Sequence, residues 1–185
     1  MPKKLKGKEW YNLLAPKLFN EKVIGGTPAG EAKTLMGRVI EVHLINLLDD
    51  LSKYYMKLYF KLIDVKEKIA YTEFAGLECL RDYISRMIRY GIKRVDTVQD
   101  LMTEDKKKIR VKTIIITSKK IKKNVSTTLK KFVEENIKKE VESNKTDKLL
   151  EDIINDTIKM SIMNEGSKIY PIRSFEIRKV ETLNK

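Results

Sequence analysis

Over residues 54–64, YYMKLYFKLID, the apolar side chains Met56, Leu58, Phe60 and Leu62 alternate with Lys57, Tyr59 and Lys61. A period of two puts the first set on one face of a β-strand and the second on the other. Residues 38–47 carry the same pattern more weakly, with Ile40, Val42 and Leu44 against Glu41 and His43. Asp49, Asp50 and Ser52 lie between the two stretches and favour a turn, which predicts an antiparallel hairpin. Residues 68–74, KIAYTEF, give a third strand after a turn at Lys66-Glu67.

From residue 77 the period changes. Leu77, Leu80, Ile84, Met87 and Ile88 fall on one stripe of a helix over 77–90 that would also carry Cys79 beside Leu80, with Arg86 and Arg89 in the last turn and Gly91 placed to cap it. A second hairpin is predicted over 92–102 and 107–117, joined by the polar turn Thr103-Glu104-Asp105-Lys106, with Ile109, Val111, Thr113 and Ile115 on one face. Two helices follow. The first, 124–142, has Val125, Leu129, Phe132, Val133 and Ile137 on its stripe. The second, 147–163 with Thr146 as N-cap, has Leu150, Ile153, Ile154, Ile158 and Ile162, and Gly166 ends it. A last strand over 170–180 returns Phe175 and Ile177 to the core. Antiparallel strands with helices inserted between them make the fold class α+β.

The first 36 residues read differently. KKLKGKEWYNLLAPKLF (3–19) mixes lysines with Trp10, Tyr11, Leu13, Leu14 and Phe19, and Pro16 interrupts any helix. GGTPAG (25–30) reads as a flexible loop, without the Lys-Ser/Thr ending of a phosphate-binding P-loop. The expected organisation is a basic N-terminal arm and loop over 1–36, pinned by its apolar residues, and a single α+β domain over 37–185.

Charge is what gives this pattern a partner. The chain of 185 residues has a net charge of +13, and the sequence pI is about 9.6. Such a surplus repels itself, and a polyanionic partner is the usual reason to carry it. Residues 1–22 hold six Lys/Arg against two acids, and residues 106–145 hold fourteen against four, so nearly all the surplus lies in two segments. From Lys106 to Val133 there are eleven Lys/Arg and no acid, whereas an ordinary solvated face mixes its signs.

The sharpest feature is SKKIKKNVSTT, 118–128, where Lys119, Lys120, Lys122 and Lys123 crowd the start of a predicted helix. Cations are unfavourable at that end of the dipole, and free N–H groups there are phosphate donors. A phosphate relieves both. The candidate RNA-binding residues are therefore Lys3, Lys4, Lys6, Lys8 and Lys17 in the arm, and Lys106, Lys107, Lys108, Arg110 and Lys112 in the hairpin. At the helix start they are Lys119, Lys120, Lys122, Lys123, Asn124, Ser126, Thr127, Lys130 and Lys131. Lysines dominate, and Phe132 is the lone aromatic between 106 and 133, so recognition of folded RNA by backbone charge and shape is expected.

Other chemistry is thin. One histidine, His43, and one cysteine, Cys79, cannot build a structural zinc site or a disulfide, and a reducing, cytoplasmic setting is expected. No apolar run is long enough to span a membrane, and no signal segment opens the chain. The acid pairs Asp49-Asp50 and Glu104-Asp105 sit in predicted turns, where their ordinary role is turn chemistry. No cofactor, metal, membrane or small-molecule substrate is expected. Two other readings are a peripheral membrane protein using the basic helix, and an RNA-processing enzyme.

Five stretches carry a family resemblance: KEWYNLLAPKLF (8–19), GRVIEVHLINL (37–47), FAGLECLRDYISRMIR (74–89), RVDTVQDLM (94–102) and IYPIRSFEIRKV (169–180). In this order they resemble the S-three-A-e, or eukaryotic-type S-one, family of small-subunit ribosomal proteins of archaea and eukaryotes, and an archaeal member in particular. The resemblance implies an antiparallel, barrel-like β core with flanking helices and a structural, non-enzymatic role in translation. It implies a seat on the subunit platform near the mRNA exit, ribosome-bound in the cytoplasm. The implied partners are small-subunit rRNA, neighbouring small-subunit ribosomal proteins and mRNA near the exit. The family's TKKR-type basic run falls here on Thr117, Lys119 and Lys120, with Ser118 intervening.

Overall fold

The computed structural model describes residues 7–48 and 50–183. They form two compact units, residues 1–77 and 78–185.

The first unit is built on five strands: β1 (Glu9–Leu14), β2 (Val23–Ala29), β3 (Val39–His43), β4 (Met56–Lys66) and β5 (Ile69–Cys79), the last two residues of β5 belonging to the second unit. Their order is β2-β1-β5-β4-β3. The hairpin of β3 and β4 is antiparallel, pairing Val39 with Lys61 through His43 with Lys57. The short helix α1 (Ile45–Leu48) and a 3-10 turn (Leu51–Lys53) join them, and Asp50 closes that turn by accepting from the Ser52 N–H at 2.8 Å. Met56, Leu58, Phe60 and Leu62 are all buried, as the alternation in the sequence requires.

Residues 9–14 and 23–29 are strands, where the sequence suggested an arm and a loop. β1 gains partners on both edges, β2 antiparallel and β5 parallel, and its Tyr11 and Leu13 are buried. Of the glycines that suggested a loop, Gly26 is there for packing: a Cβ there would lie 3.3 Å from the Trp10 ring. Pro28, opposite Trp10, is tolerated because β2 is an edge strand. Phe19 meets Phe60 edge-on at 5.9 Å, anchoring the turn that Pro16 begins. The parallel β1–β5 pair means the sheet is not wholly antiparallel.

The second unit holds α2 (Arg81–Met87), β6 (Arg94–Met102), β7 (Lys108–Thr117), α3 (Lys123–Ser143), α4 (Thr146–Ile154), α5 (Thr157–Gly166) and β8 (Ile172–Thr182). β8, β7 and β6 form an antiparallel sheet in that order. One face carries buried Val95, Thr97, Ile109, Val111 and Thr113, and the Gln99 amide donates across to the α3 carbonyl of Glu134 at 3.1 Å. α3 packs on β6 and α5 on β8, and α4 packs on α5. The other face presents the charged side chains of β6, β7 and β8. In neither unit do the strands close into a barrel; the architecture is mixed α+β with open sheets.

Three elements depart from the sequence expectation. Leu77 and Cys79 end strand β5 instead of opening a helix: burial alternates through Ala70, Thr72, Phe74 and Gly76, changes parity at Leu77, and alternates again to Cys79. α2 then spans Arg81 to Met87 and stops where Ile88 turns extended, leaving Gly91 (φ +84°) in the following turn. The long second helix is two, α4 and α5, broken where Asp156 adopts φ +59°. The stripe runs through both, since Leu150, Ile153, Ile154, Ile158 and Ile162 are all buried.

Thr146 is the first residue of α4 rather than its cap. Its N–H donates to the Asp105 carboxylate at 2.9 Å, across from the β6–β7 turn. The acidic turn thus caps a distant helix. Asp105→Ala should lower stability by about 1 kcal/mol, read from urea unfolding. Gly166 is a tighter test of packing, because a Cβ there would lie 2.5 Å from Ile172 Cδ1 and 3.3 Å from the Phe132 ring. Gly166→Ala should cost about 1–3 kcal/mol by overpacking, measured the same way.

Candidate nucleic-acid interface

The segment from Lys106 to Val133, free of acids in sequence, is cut by folding into two unlike parts. Its first part lies on β6–β7 and meets acids from other strands. Arg110 donates to both oxygens of Asp100, its register partner on β6, at 2.6 and 2.7 Å. That bidentate hydrogen bond holds the Asp100 carboxyl below the usual carboxylate range and raises Arg110. Lys112 faces Lys179 in register, an unfavourable pair of like charges, and Glu181 bridges them at 3.1 and 2.6 Å. The hydrogen bond from Lys179 is the main reason the Glu181 carboxyl is lowered. Of the hairpin candidates, Arg110 and Lys112 are thus largely neutralised in place, while Lys106 and Lys108 are exposed and Lys107 is half-buried.

The second part keeps its charge. Lys119, Lys120, Lys122 and Lys123 are all exposed, and among the described residues no carboxylate pairs with any of them. α3 begins at Lys123 with no side-chain cap and no acid in its first turn. Its first helical bond runs from the Ser126 N–H to the Lys122 carbonyl at 3.1 Å, so the N–H groups of Lys123, Asn124 and Val125 precede the ladder. Four ammonium groups and three donor N–H groups therefore converge on one loop with nothing anionic to answer them. A phosphate chain is the fitting complement.

The loop is held from beneath by three segments. Ser118 N–H donates to the Pro171 carbonyl at 3.1 Å, and the Tyr170 hydroxyl reaches the Lys120 carbonyl at 3.5 Å. The buried Thr117 hydroxyl lies 2.7 Å from the Lys119 carbonyl and 3.1 Å from that of Lys93. The Lys93 N–H in turn donates to Thr117 Oγ1 at 3.2 Å. Tyr170 and Pro171, from the resembling stretch 169–180, thus support the loop, and Lys93 does so from just ahead of the stretch 94–102. Lys93 is brought beside Lys119 by these bonds, yet segment counting hid it, since residues 23–105 are slightly acidic in sum.

The remaining candidates divide further. Asn124, Lys130 and Lys131 are exposed on α3, and Lys130 leans toward Glu134 at 3.7 Å. The Thr127 hydroxyl donates its single proton to the Lys123 carbonyl at 3.0 Å, which leaves it an acceptor only and a poor phosphate ligand. Ser126 is half-buried. Lys8 and Lys17 are exposed in the first unit, and Lys3, Lys4 and Lys6 lie outside the described residues.

No catalytic set gathers here. Cys79 is buried, its thiol donating to the Ile177 carbonyl at 3.2 Å, and burial pushes it up to about 12. A thiol so raised stays protonated at neutral pH and is no nucleophile. Among the described residues no three His, Cys, Asp or Glu side chains group as a metal site would need.

This is an α+β protein with a lysine-rich loop that no acid answers among the described residues, and relatives give it a family. The pattern of the Ribosomal S3Ae family matches residues 2–185, and the chain belongs to that family. It is 36% identical over 184 residues to small ribosomal subunit protein eS1 of Methanopyrus kandleri, covering 97% of this chain and 87% of that protein. The eS1 protein of Sulfurisphaera tokodaii is 33% identical over 180 residues, 97% of this chain and 93% of the relative. That of Staphylothermus marinus is 36% identical over 180 residues, 97% and 85% respectively. The chain is a ribosomal protein, a structural component and not an enzyme.

Two expectations follow for measurement. Cys79 should not react with a thiol reagent at pH 8 in the native protein and should react fully in denaturant. Arg110→Gln, which removes an already neutralised cation, should change RNA affinity less than twofold by fluorescence anisotropy, whereas Lys120→Gln should cost more.

Proposed function

We propose that this protein is a structural constituent of the small ribosomal subunit that binds small-subunit rRNA through the lysine loop at the start of α3. The seat is the subunit platform near the mRNA exit, against neighbouring small-subunit proteins, and the chain is ribosome-bound in the cytoplasm of an archaeal cell. The observation that carries this reading is the loop itself: Lys119, Lys120, Lys122 and Lys123 before an uncapped helix with no acid in its first turn. Names of the relatives support the particle. Lysine ammonium groups are point charges rather than bidentate readers of bases, so the loop recognises backbone and shape, not sequence.

The membrane-surface alternative fails on packing. The apolar stripe of α3, Leu129, Val133, Ile137 and Val141, is buried within its own unit, which leaves only the polar face for a lipid surface. No helix among the described residues is long and apolar enough to cross a membrane.

Substituting Glu for Lys119, Lys120, Lys122 and Lys123 together should abolish co-sedimentation with the small subunit in moderate salt while leaving the melting temperature near that of the parent. Normal incorporation of that folded variant would overturn the assignment of the loop. With about four phosphates neutralised, the logarithm of RNA affinity should fall against the logarithm of salt with a slope of roughly −3 to −4.

A further inference from the structure

A second feature of the 78–185 unit went unread in the sequence. On the sheet face away from α3, a cleft of about 380 Å3 is lined by Arg81 and Ser85 of α2, Arg94 of β6, Lys112 of β7, and Arg178 and Lys179 of β8, with Glu78 at its wall. Five cations face one carboxylate. The cations are not equivalent. Arg94 is held by both oxygens of Asp96, Lys112 by Glu181, and Lys179 by Glu78 and Glu181 at 3.3 and 2.6 Å. Arg81 and Arg178 have no such carboxylate among the described residues. Counting the flanking Asp96 and Glu181 as well as Glu78 leaves five cations against three acids, a surplus carried by those two guanidinium groups.

A break in strand register puts Arg178 there. β8 pairs Lys179 with Lys112 but Ile177 with Thr113, so Arg178 is an extra residue opposite none. Burial changes parity across it: Phe175 and Ile177 are buried before, Val180 after, and Arg178 and Lys179 are both half-buried between. In a regular strand, neighbours point to opposite faces, and Arg178 would enter the core if Lys179 faced the cleft. The bulge turns both toward one face, as bulges beside binding sites commonly do.

We propose that this cleft is a second phosphate-binding site, in which Arg81 and Arg178 grip a backbone phosphate of RNA. The proposal rests on the RNA-binding reading above and extends it. A guanidinium fork matches a phosphate bidentately, and the cleft has room for a phosphate with its sugar rather than a bare ion. RNA, rather than an acidic peptide, is favoured by continuity with the lysine loop. Arg94 lines the cleft, its chain neighbour Lys93 is bonded to Thr117, and Thr117 is bonded to Lys119. One RNA backbone can thus run from the loop to the cleft along a single cationic track. Buried and protonated, the Cys79 thiol takes no part.

The test titrates the full chain with a labelled small-subunit rRNA transcript over a salt series. Arg81→Gln with Arg178→Gln should lower affinity about tenfold at an unchanged melting temperature, and the salt slope should shrink by about one, for the one phosphate the pair holds. Glu78→Gln, which removes the wall's acid, should raise affinity severalfold. An unaltered affinity and slope in the double variant overturns the cleft but leaves the lysine loop standing, provided the parent chain binds. Absence of RNA binding by the parent chain sinks the RNA-binding reading itself. Normal RNA binding with lost incorporation into the subunit would give the cleft a protein partner and also overturn the proposal. Should the double variant fail to fold, Glu78→Gln decides alone: no gain in affinity refutes it.

Discussion

Crowding four lysines into positions 119–123, ahead of free N–H groups at the start of α3, sets like charges beside each other and beside the positive end of a helix dipole. A Ser, Thr, Asp or Asn cap would relieve the helix, yet Lys122 stands at that position and its side chain caps nothing. The arrangement survives because the loop's backbone is held by Thr117, Tyr170 and Pro171, not by its side chains. Ammonium groups are thereby left outward and unanswered. In the function proposed, local instability in the free chain and affinity for phosphate have the same electrostatic cause.

Tertiary acids decide which cations remain available. Arg110 and Lys112 belong to the same acid-free stretch as the loop, but β-sheet register brings Asp100 and Glu181 to them. Such exposed pairs add little to stability, and their effect is to quench a local field. Buried charge is treated likewise: Glu176, 2% exposed, is met by Lys159 at 2.6 Å and by the Tyr83 hydroxyl at 3.1 Å. Lys119, Lys120, Lys122 and Lys123 keep no carboxylate partner among the described residues, and neither do Arg81 and, half-buried on the other side of the sheet, Arg178.

Much of this was legible in the sequence where one period held long enough. β4, β7 and α3 fall where alternation and the helical stripe place them, and the lysine loop precedes α3 as expected. Resemblance added the family. The misreadings have physical causes. Gly25, Gly26 and Pro28 look like loop residues, but Gly26 makes room for Trp10 and Pro28 sits on an edge. Leu77 fits a helical stripe with Leu80 and Ile84 by spacing alone, while its backbone continues β5. Asp156 breaks a helix that the hydrophobic pattern runs straight through. The cleft was invisible because it depends on a one-residue bulge at Arg178 and on acids and cations far apart in the chain.

The most direct measurement pairs stability with binding in one variant, Lys122→Glu with Lys123→Glu. Placing acids at the start of α3 should raise the free protein's stability by about 0.3–1 kcal/mol, seen as a higher melting temperature, while RNA affinity falls by at least tenfold. A variant that melts lower than the parent, or one that binds RNA as well as the parent, would contradict the claim that these lysines are strained until phosphate arrives.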